Sequence, residues 1–410
     1  MYAPTLIRRG PGLVTPPNWA AKVPDFWAVT ENFDYALPDV RRIDREWAWE
    51  LREAARDCAE IYAVAVKHLQ ENATDAELLA LGIPTVAFQA VRKKRDQPTL
   101  VGRFDFIENQ GLRVIEYNAE TPFLVWESFG INGIACANQG YEDPNADAEK
   151  ALIDALNAER GCSGIDDPVV AVVAINAYRE DWFTGRWYEH AWRRAGLRAR
   201  TVSAHDLHMF EGYLHDGYGR IDLLHHCYPL EHIAKDPAAA DFFDAVEAGR
   251  IHIVNPPSAL LAQNKAIMER IWTWGTNDTG IFTQRQREII GRHFLATHRD
   301  RPTEGTWVRK PIFGREGNTV SIHRAGEIID ESEHAHYKEQ AVVWQEHVEI
   351  SPMRFKHAWG EEEMGWPIAT CFTINGEPGP ISMRLGDPIT SAWAHFQPLG
   401  HALRRAGQRP

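Results

Sequence analysis

Paired cysteines, long apolar runs, an excess of basic residues and low-complexity tracts are all missing from this 410-residue sequence. Its five cysteines, Cys58, Cys136, Cys162, Cys227 and Cys371, are odd in number and scattered without Cys-x-x-Cys spacing. That excludes a disulfide framework and predicts reduced thiols in a cytoplasmic protein. No segment reaches the length of a membrane span, and Met1 to Val14, which holds Arg8 and Arg9, lacks the apolar run of a secretion signal. Forty-four basic side chains against fifty-seven acidic ones give a net charge of −13, so neither nucleic acid nor an anionic membrane is expected as a partner. A cationic amine is mildly favoured.

Apolar residues at 44%, charged residues at 25% and fifteen tryptophans supply material for a packed interior. The length exceeds what a single core fills, so two or three lobes sharing clefts are expected, and such clefts suit small ligands. The approximate lobes are 1–164, 165–255 and 256–410, acting as one catalytic unit. From Val40 to His68 apolar residues recur at helical spacing, with Trp47, Trp49, Leu51, Ile61 and Val64 as expected buried positions. Pro168 to Ile175 reads as a strand, Glu180 to Ala195 as a helix stopped by Gly196, and Leu197 to Val202 as a second strand: one βαβ unit. No Gly-x-Gly-x-x-Gly follows its first strand, so this is no dinucleotide site. Strand patterns at Ile251–Val254, Thr306–Pro311, Thr319–Ile322, Val342–Gln345 and Ile368–Ile374 predict antiparallel sheet in the C-terminal half. The fold class is α/β in the broad sense (α+β).

Strict alternation between Leu100 and Glu120, broken by Asn109, Gln110 and Gly111, predicts a β-hairpin. Closed symmetrically about Gln110-Gly111, it sets Asp105 opposite Glu116 and Arg103 opposite Asn118 on one face, with Phe104, Tyr117, Phe106 and Ile115 on the other. Two facing carboxylates repel unless a cation sits between them. Asp105, Glu116 and Asn118 are the hard oxygen donors that magnesium takes. The plainer reading, with Arg103 simply neutralising both acids at the surface, has equal standing on these residues alone.

Trp307 to Val320 reads as strand, glycine-containing turn and strand, with Lys310 and Arg315 beside Gly314 and Gly317. Such a turn can approach phosphates closely, yet it is not the Gly-x-x-x-x-Gly-Lys-Ser/Thr loop and is most often a simple hairpin. Ser258 is placed to cap a helix running to about Trp272, in which Asn264 and Lys265 interrupt apolar surroundings. Lys265 alone reads as a solvated lysine whose stem lies along apolar surface. Val342 to Val348 is a strand with polar residues at its end, suited to an adenine edge or to an ordinary sheet edge.

Taken together, Arg103-Phe104-Asp105-Phe106, Glu116-Tyr117-Asn118-Ala119-Glu120-Thr121, Asn264-Lys265 and the stretch Lys310 to Gly317 resemble the glutathionylspermidine synthases in identity and order. The resemblance implies an ATP-grasp fold that activates a carboxylate as an acyl phosphate before an amine attacks. It implies that Asp105, Glu116 and Asn118 bind magnesium and that Arg103 stabilises the transferring phosphate. Lys265, Lys310 and the turn Gly314, Arg315, Glu316 and Gly317 are implied at the ATP phosphates, with Gln345, Glu346 and Val348 along the adenine pocket. Arg384 is implied as a second phosphoryl or substrate arginine, a salt bridge with Asp387 being the plainer alternative. Thr121 is implied near a peptide substrate. Bifunctional members add an amidase domain with a catalytic cysteine, for which this sequence offers no suitable Cys/His arrangement, so synthesis without hydrolysis is expected.

The activity so implied is an ATP- and magnesium-dependent ligase joining a small peptide or amino-acid carboxylate, glutathione-like or another, to an amine such as a polyamine or an amino acid. No protein nucleophile is needed, because phosphoryl transfer is driven by positioning and charge neutralisation. The incoming amine must lose a proton, and no base is evident in the sequence. A regulatory protein that binds ATP without turnover and a small-molecule kinase are the alternatives.

Overall fold

The computed structural model describes residues 14–23 and 25–403, and Arg8 and Arg9 lie outside the described residues. Helical spacing in the first third becomes α1 (Arg45–Asn72). It buries Leu51 and Ile61 completely and Trp47 and Val64 in part. Trp49, expected inside, is 61% exposed. It lies two residues from both Trp47 and Leu51, which in a helix turns it to the opposite side from the buried stripe.

The alternating segment folds as β1 (Val101–Glu108) paired antiparallel with β2 (Leu112–Asn118). Arg103 lies opposite Asn118, Phe104 opposite Tyr117 and Asp105 opposite Glu116. The expected Phe106–Ile115 pair does not form. The turn holds three residues, Asn109 to Gly111, so pairing next to it is centred on Gln110 and sets Phe106 against Val114. Ile115 is the extra residue of a bulge that restores the symmetric register beyond it. On the aromatic face Phe104 stacks on Tyr117 at 3.9 Å, and Tyr62 of α1 closes on Tyr117 at 4.8 Å. The polar face is buried too, because Arg103 and Asp105 are each 5% exposed.

The βαβ unit is β3 (Val169–Ala174), α2 (Arg179–Arg194) and β4 (Arg198–Ser203). With β5 (Leu223–His226) and β6 (His252–Val254) it forms a parallel sheet of order β6-β5-β3-β4. Its central strand, Val-Val-Ala-Val-Val-Ala, carries no polar face, as expected of a sheet covered on both sides. Directly after β6, buried Asn255 accepts from the Leu100 and Val101 amides at 2.8 and 2.9 Å. It also donates to the Val101, Ala119 and Glu120 carbonyls at 2.7 to 3.1 Å. One side chain thus satisfies both ends of the β1-β2 hairpin and ties it to the parallel sheet. Asn255→Leu strands these buried groups and is expected to cost about 3 kcal/mol, read as a lower urea midpoint with an unchanged slope.

The single helix expected from Ser258 is two, α3 (Ala259–Gln263) and α4 (Ala266–Thr276). Asn264 between them is extended, its side chain donating to the Leu81 carbonyl and accepting from the Ala266 amide at 2.8 Å. The Lys265 amide donates to the Ile312 carbonyl at 2.9 Å. Ser258 does not cap; its hydroxyl donates to the Pro98 carbonyl.

Two larger antiparallel sheets frame the site. β7 (Thr297–His298), β8 (Thr306–Pro311), β9 (Ser321–Arg324), β10 (Glu327–Glu331) and β11 (Val342–Glu346) assemble in the order β7-β11-β8-β9-β10. β11 is therefore flanked on both sides rather than being an edge. β12 (Met353–Lys356), β13 (Glu362–Ile374), β14 (Glu377–Gly386) and β15 (His395–Gln397) join the early hairpin in the order β15-β14-β13-β1-β2, with β12 beside β13. The hairpin placed by sequence in the N-terminal third is thus continuous with strands some 260 residues later, Asp105 pairing with Thr370.

Candidate active site

A solvent-open cleft lies between the two antiparallel sheets. Asp105, Glu116 and Arg384 face it from one sheet, Lys310 and Gln345 from the other, and Lys265 from the break between α3 and α4. Glu316, Gly314 and Gly317 of the β8–β9 turn, Glu346 at the end of β11 and Val348 after it complete its polar and apolar rims.

The two facing carboxylates each have their own cation. Arg103 donates Nε and an Nη to the two oxygens of Asp105 at 2.7 and 2.8 Å, and its other Nη to the Phe123 carbonyl at 2.6 Å. Asn118 adds a donor to Asp105 at 3.2 Å. Glu116 instead meets Lys265 at 3.0 Å, and Lys265 also donates to the Gly314 carbonyl at 2.6 Å. Burial opposes the charge on Glu116, but Lys265, Lys310 and Arg103 outweigh it and hold its carboxyl at about 2. Burial pushes Lys310 down to about 8, with Lys265 adding to the shift and Glu116 opposing it. Lys310 donates to the Gln345 side chain at 2.6 Å and to the carbonyl of bulged Ile115 at 3.2 Å. The bulge therefore has a use: it turns a backbone acceptor toward the second lysine.

At the far end the cleft is apolar. Ile107, Leu295 and Ile368 form a small buried cluster with Ile115, Val348 and Ile350 against it. The glycine turn closes the other end: Gly317 has φ 65°, and a Cβ there would overlap the Thr390 carbonyl. Only glycine fits that contact.

Arg103, Asn118, Arg315 and Thr121 do not line the cleft. Arg103 and Asn118 stand behind Asp105. Arg315 points away from the cleft, ion-paired with Glu231 and, at 3.4 Å, with Glu120. Burial, then Glu231, pushes Glu120 well above the usual carboxylate range, while Arg315 holds Glu231 below it despite burial. This clasp ties the glycine turn to the connection after β5. Arg384 donates to the Ser391 carbonyl at 2.9 Å.

Sequence reasoning missed a group of acids beside Arg384. Glu127, in a π-helical turn from Glu127 to Ile131, is fully buried and accepts from the Tyr35 hydroxyl at 2.6 Å. Glu180 and Asp181 lie in the first turn of α2. Burial, Glu127 and Glu316 push Glu180 up to about 8, against the pull of Arg384. Burial and Glu316 push Asp181 up to about 7. Helical periodicity gave no hint of this, since acids in a first helical turn are ordinary.

A protein of Haemophilus influenzae that carries the name acid–amine ligase is 24% identical over 348 residues, covering 79% of this chain and 80% of its own. A glutathione synthetase-like effector from Globodera pallida, solved in apo form, superposes with a TM-score of 0.57 at 11% identity, over 89% of this chain and 90% of that one. The architecture is accordingly that of the ATP-grasp synthetases. The family described as glutathionylspermidine synthase preATP-grasp matches residues 31–403, and with nine-tenths of its length inside that match, the chain belongs to this family.

Proposed function

We propose that this protein is an ATP- and magnesium-dependent acid–amine ligase acting on a small peptide or amino-acid carboxylate and an amine. The observation that carries the reading is one cleft holding two paired carboxylates, a buried lysine and a half-buried one, with an apolar notch at one end and a glycine turn at the other. Asp105 and Glu116, which face the cleft from adjacent strands, fit magnesium by donor type, while Asn118, expected as a third ligand, stands behind Asp105 and donates to it. Lys265, Lys310 and the Gly314 to Gly317 turn fit nucleotide phosphates, and the Ile107 cluster beside Gln345, Glu346 and Val348 fits a base. Bound there, ATP would supply the phosphoryl group that activates the substrate carboxylate, leaving as ADP, and magnesium would offset the phosphate charge.

The chain's own contribution is charge placed in advance. Lys265 and Lys310 neutralise phosphate oxygens, Arg384 faces the cleft where the acyl phosphate oxygens gather, and Arg103 keeps Asp105 fixed. Glu180, outside the cleft's lining but within the electrostatic reach of Glu316 and Arg384 on it, is the acid we assign to receive the proton that the attacking ammonium must lose. Its carboxyl at about 8 matches that task near neutral pH. Glu316, on the cleft's rim, favours a cationic substrate.

ADP release by the purified chain with magnesium, across pooled acids with and without polyamines or amino acids, tests the reading. A ligase needs both substrates. Release with acid alone makes the protein a kinase, and binding without turnover makes it a regulatory subunit. The pH profile tests Glu180: the rate is expected to rise with pH to a limb near 8, and Glu180→Gln is expected to remove that limb. The stability signature runs the other way. A carboxyl raised from the ordinary range to about 8 keeps its proton in the fold and loses it in the unfolded chain, so its contribution declines as pH rises across that window.

A further inference from the structure

We infer that Asp34, His357 and His395 form a binding site for a divalent transition-metal ion of the zinc class, separate from the cleft. Among the described residues these three bring one ligand atom each to within 4.8 Å of one another, and all are buried. His395 pairs with Leu385 across β15 and β14, one residue on from the Arg384–Phe396 pair, so it projects from the opposite face of the sheet to Arg384. His357 sits in the turn between β12 and β13, and Asp34 comes from the segment before α1.

The hydrogen bonds around the three leave the right atoms over. Asp34 Oδ2 accepts from the Ala358 amide at 2.8 Å, which leaves Oδ1 facing His357 Nδ1 at 3.1 Å and His395 Nδ1 at 3.5 Å. His357 Nε2 donates to Glu363 at 2.8 Å. That is the carboxylate–histidine pairing which, behind a metal ligand, fixes the tautomer and points the lone pair of the other nitrogen at the ion. Here Nδ1 faces the Asp34 carboxylate at 3.1 Å, a contact that needs a cation, either a proton or a metal ion, between the two. His395 Nδ1 lies 2.7 Å from the Asp34 carbonyl and 3.5 Å from Asp34 Oδ1, so it becomes the third ligand by exchanging that carbonyl for the ion. Ligand atoms of a tetrahedral site with bonds near 2.0 to 2.1 Å lie about 3.3 Å apart, so the His357–Asp34 edge is already at its bound length. Two imidazoles and one carboxylate suit zinc and cobalt over magnesium or calcium. His357 is further held by Trp359 stacking on it at 4.2 Å, and His395 by Phe33 at 4.4 Å, so the ligands are positioned before the ion arrives.

The alternative occupant of the His357–Asp34 contact is a proton, making His357 an imidazolium between two acids, and the experiment separates the two. The full chain is stripped with chelator, incubated with Zn²⁺, desalted and assayed for bound metal; Co²⁺ is titrated in parallel for visible absorption of a tetrahedral complex. Wild type and Asp105→Asn are expected to retain about one equivalent of zinc, with a Tm that rises with metal concentration. His357→Gln and His395→Gln are expected to lose both the retained metal and the cobalt band, and Glu363→Gln to bind 10- to 100-fold more weakly. Should either histidine variant misfold, the wild-type cobalt spectrum and metal-dependent Tm decide alone. Wild-type protein that retains no zinc and shows no cobalt band overturns the site and leaves the proton in its place. Equal retention by wild type and both histidine variants overturns it as well.

Discussion

Lys265→Met is expected to lose about 10³-fold in turnover and about 2 to 3 kcal/mol in stability, and adding Glu116→Gln is expected to recover the stability but not the turnover. Lys265 is 4% exposed and, among the described residues, its carboxylate partner at bonding distance is Glu116, which Lys265 foremost, with Lys310 and Arg103, holds at about 2. Removing the ammonium leaves a mostly buried carboxylate uncompensated, and neutralising Glu116 removes that penalty. Turnover follows a different rule, since the cation that faces the phosphates is gone in both variants. Acid titration reads the same pair. A carboxyl held below its unfolded value contributes stability above the ordinary carboxylate range and loses it as pH falls toward 2, so wild type should outlast the double variant's flat profile only above that window. Denaturant melts of the three proteins, with ADP release alongside, check both halves. A single variant as stable as wild type would show that Lys265 is solvated and unpaired.

Much of this site was legible because its signals are local. Period-two alternation between Leu100 and Glu120 put Arg103, Asp105, Glu116 and Asn118 on one face, and the structure keeps them there. The bulge at Ile115 depends on whether the turn holds two residues or three, a choice that Asn109-Gln110-Gly111 leaves open. The break at Asn264 was not legible at all. Ala259 to Met268 contains neither proline nor glycine, and the helix stops because Leu81 and Ile312 offer carbonyls to Asn264 and Lys265 from elsewhere in the chain. The same holds for Arg315, which reads as a phosphate contact until Glu231, 84 residues earlier, is seen to claim it. The acids Glu127 and Glu180 belong to helices, and only the fold carries them to Arg384. Patterns reveal which face a residue occupies; long-range partners decide which way a charged side chain turns.

Arg103 puts that distinction to its sharpest test. The resemblance places its guanidinium on the transferring phosphate, whereas the fold commits two of its nitrogens to Asp105 and the third to the Phe123 carbonyl. Arg103→Ala leaves a 5% exposed Asp105 with Asn118 as its remaining donor and is expected to cost about 3 to 5 kcal/mol. Arg103→Lys keeps the charge but cannot make the fork, so it is expected to fold with a modest fall in Tm while turnover drops about 10²-fold. Magnesium dependence then separates the two roles. A residue that acts by orienting Asp105 shows a raised magnesium requirement in the lysine variant, with kcat recovering at high magnesium. A kcat loss that no magnesium concentration repairs puts the guanidinium on the phosphate, and means that it swings from Asp105 when substrates bind.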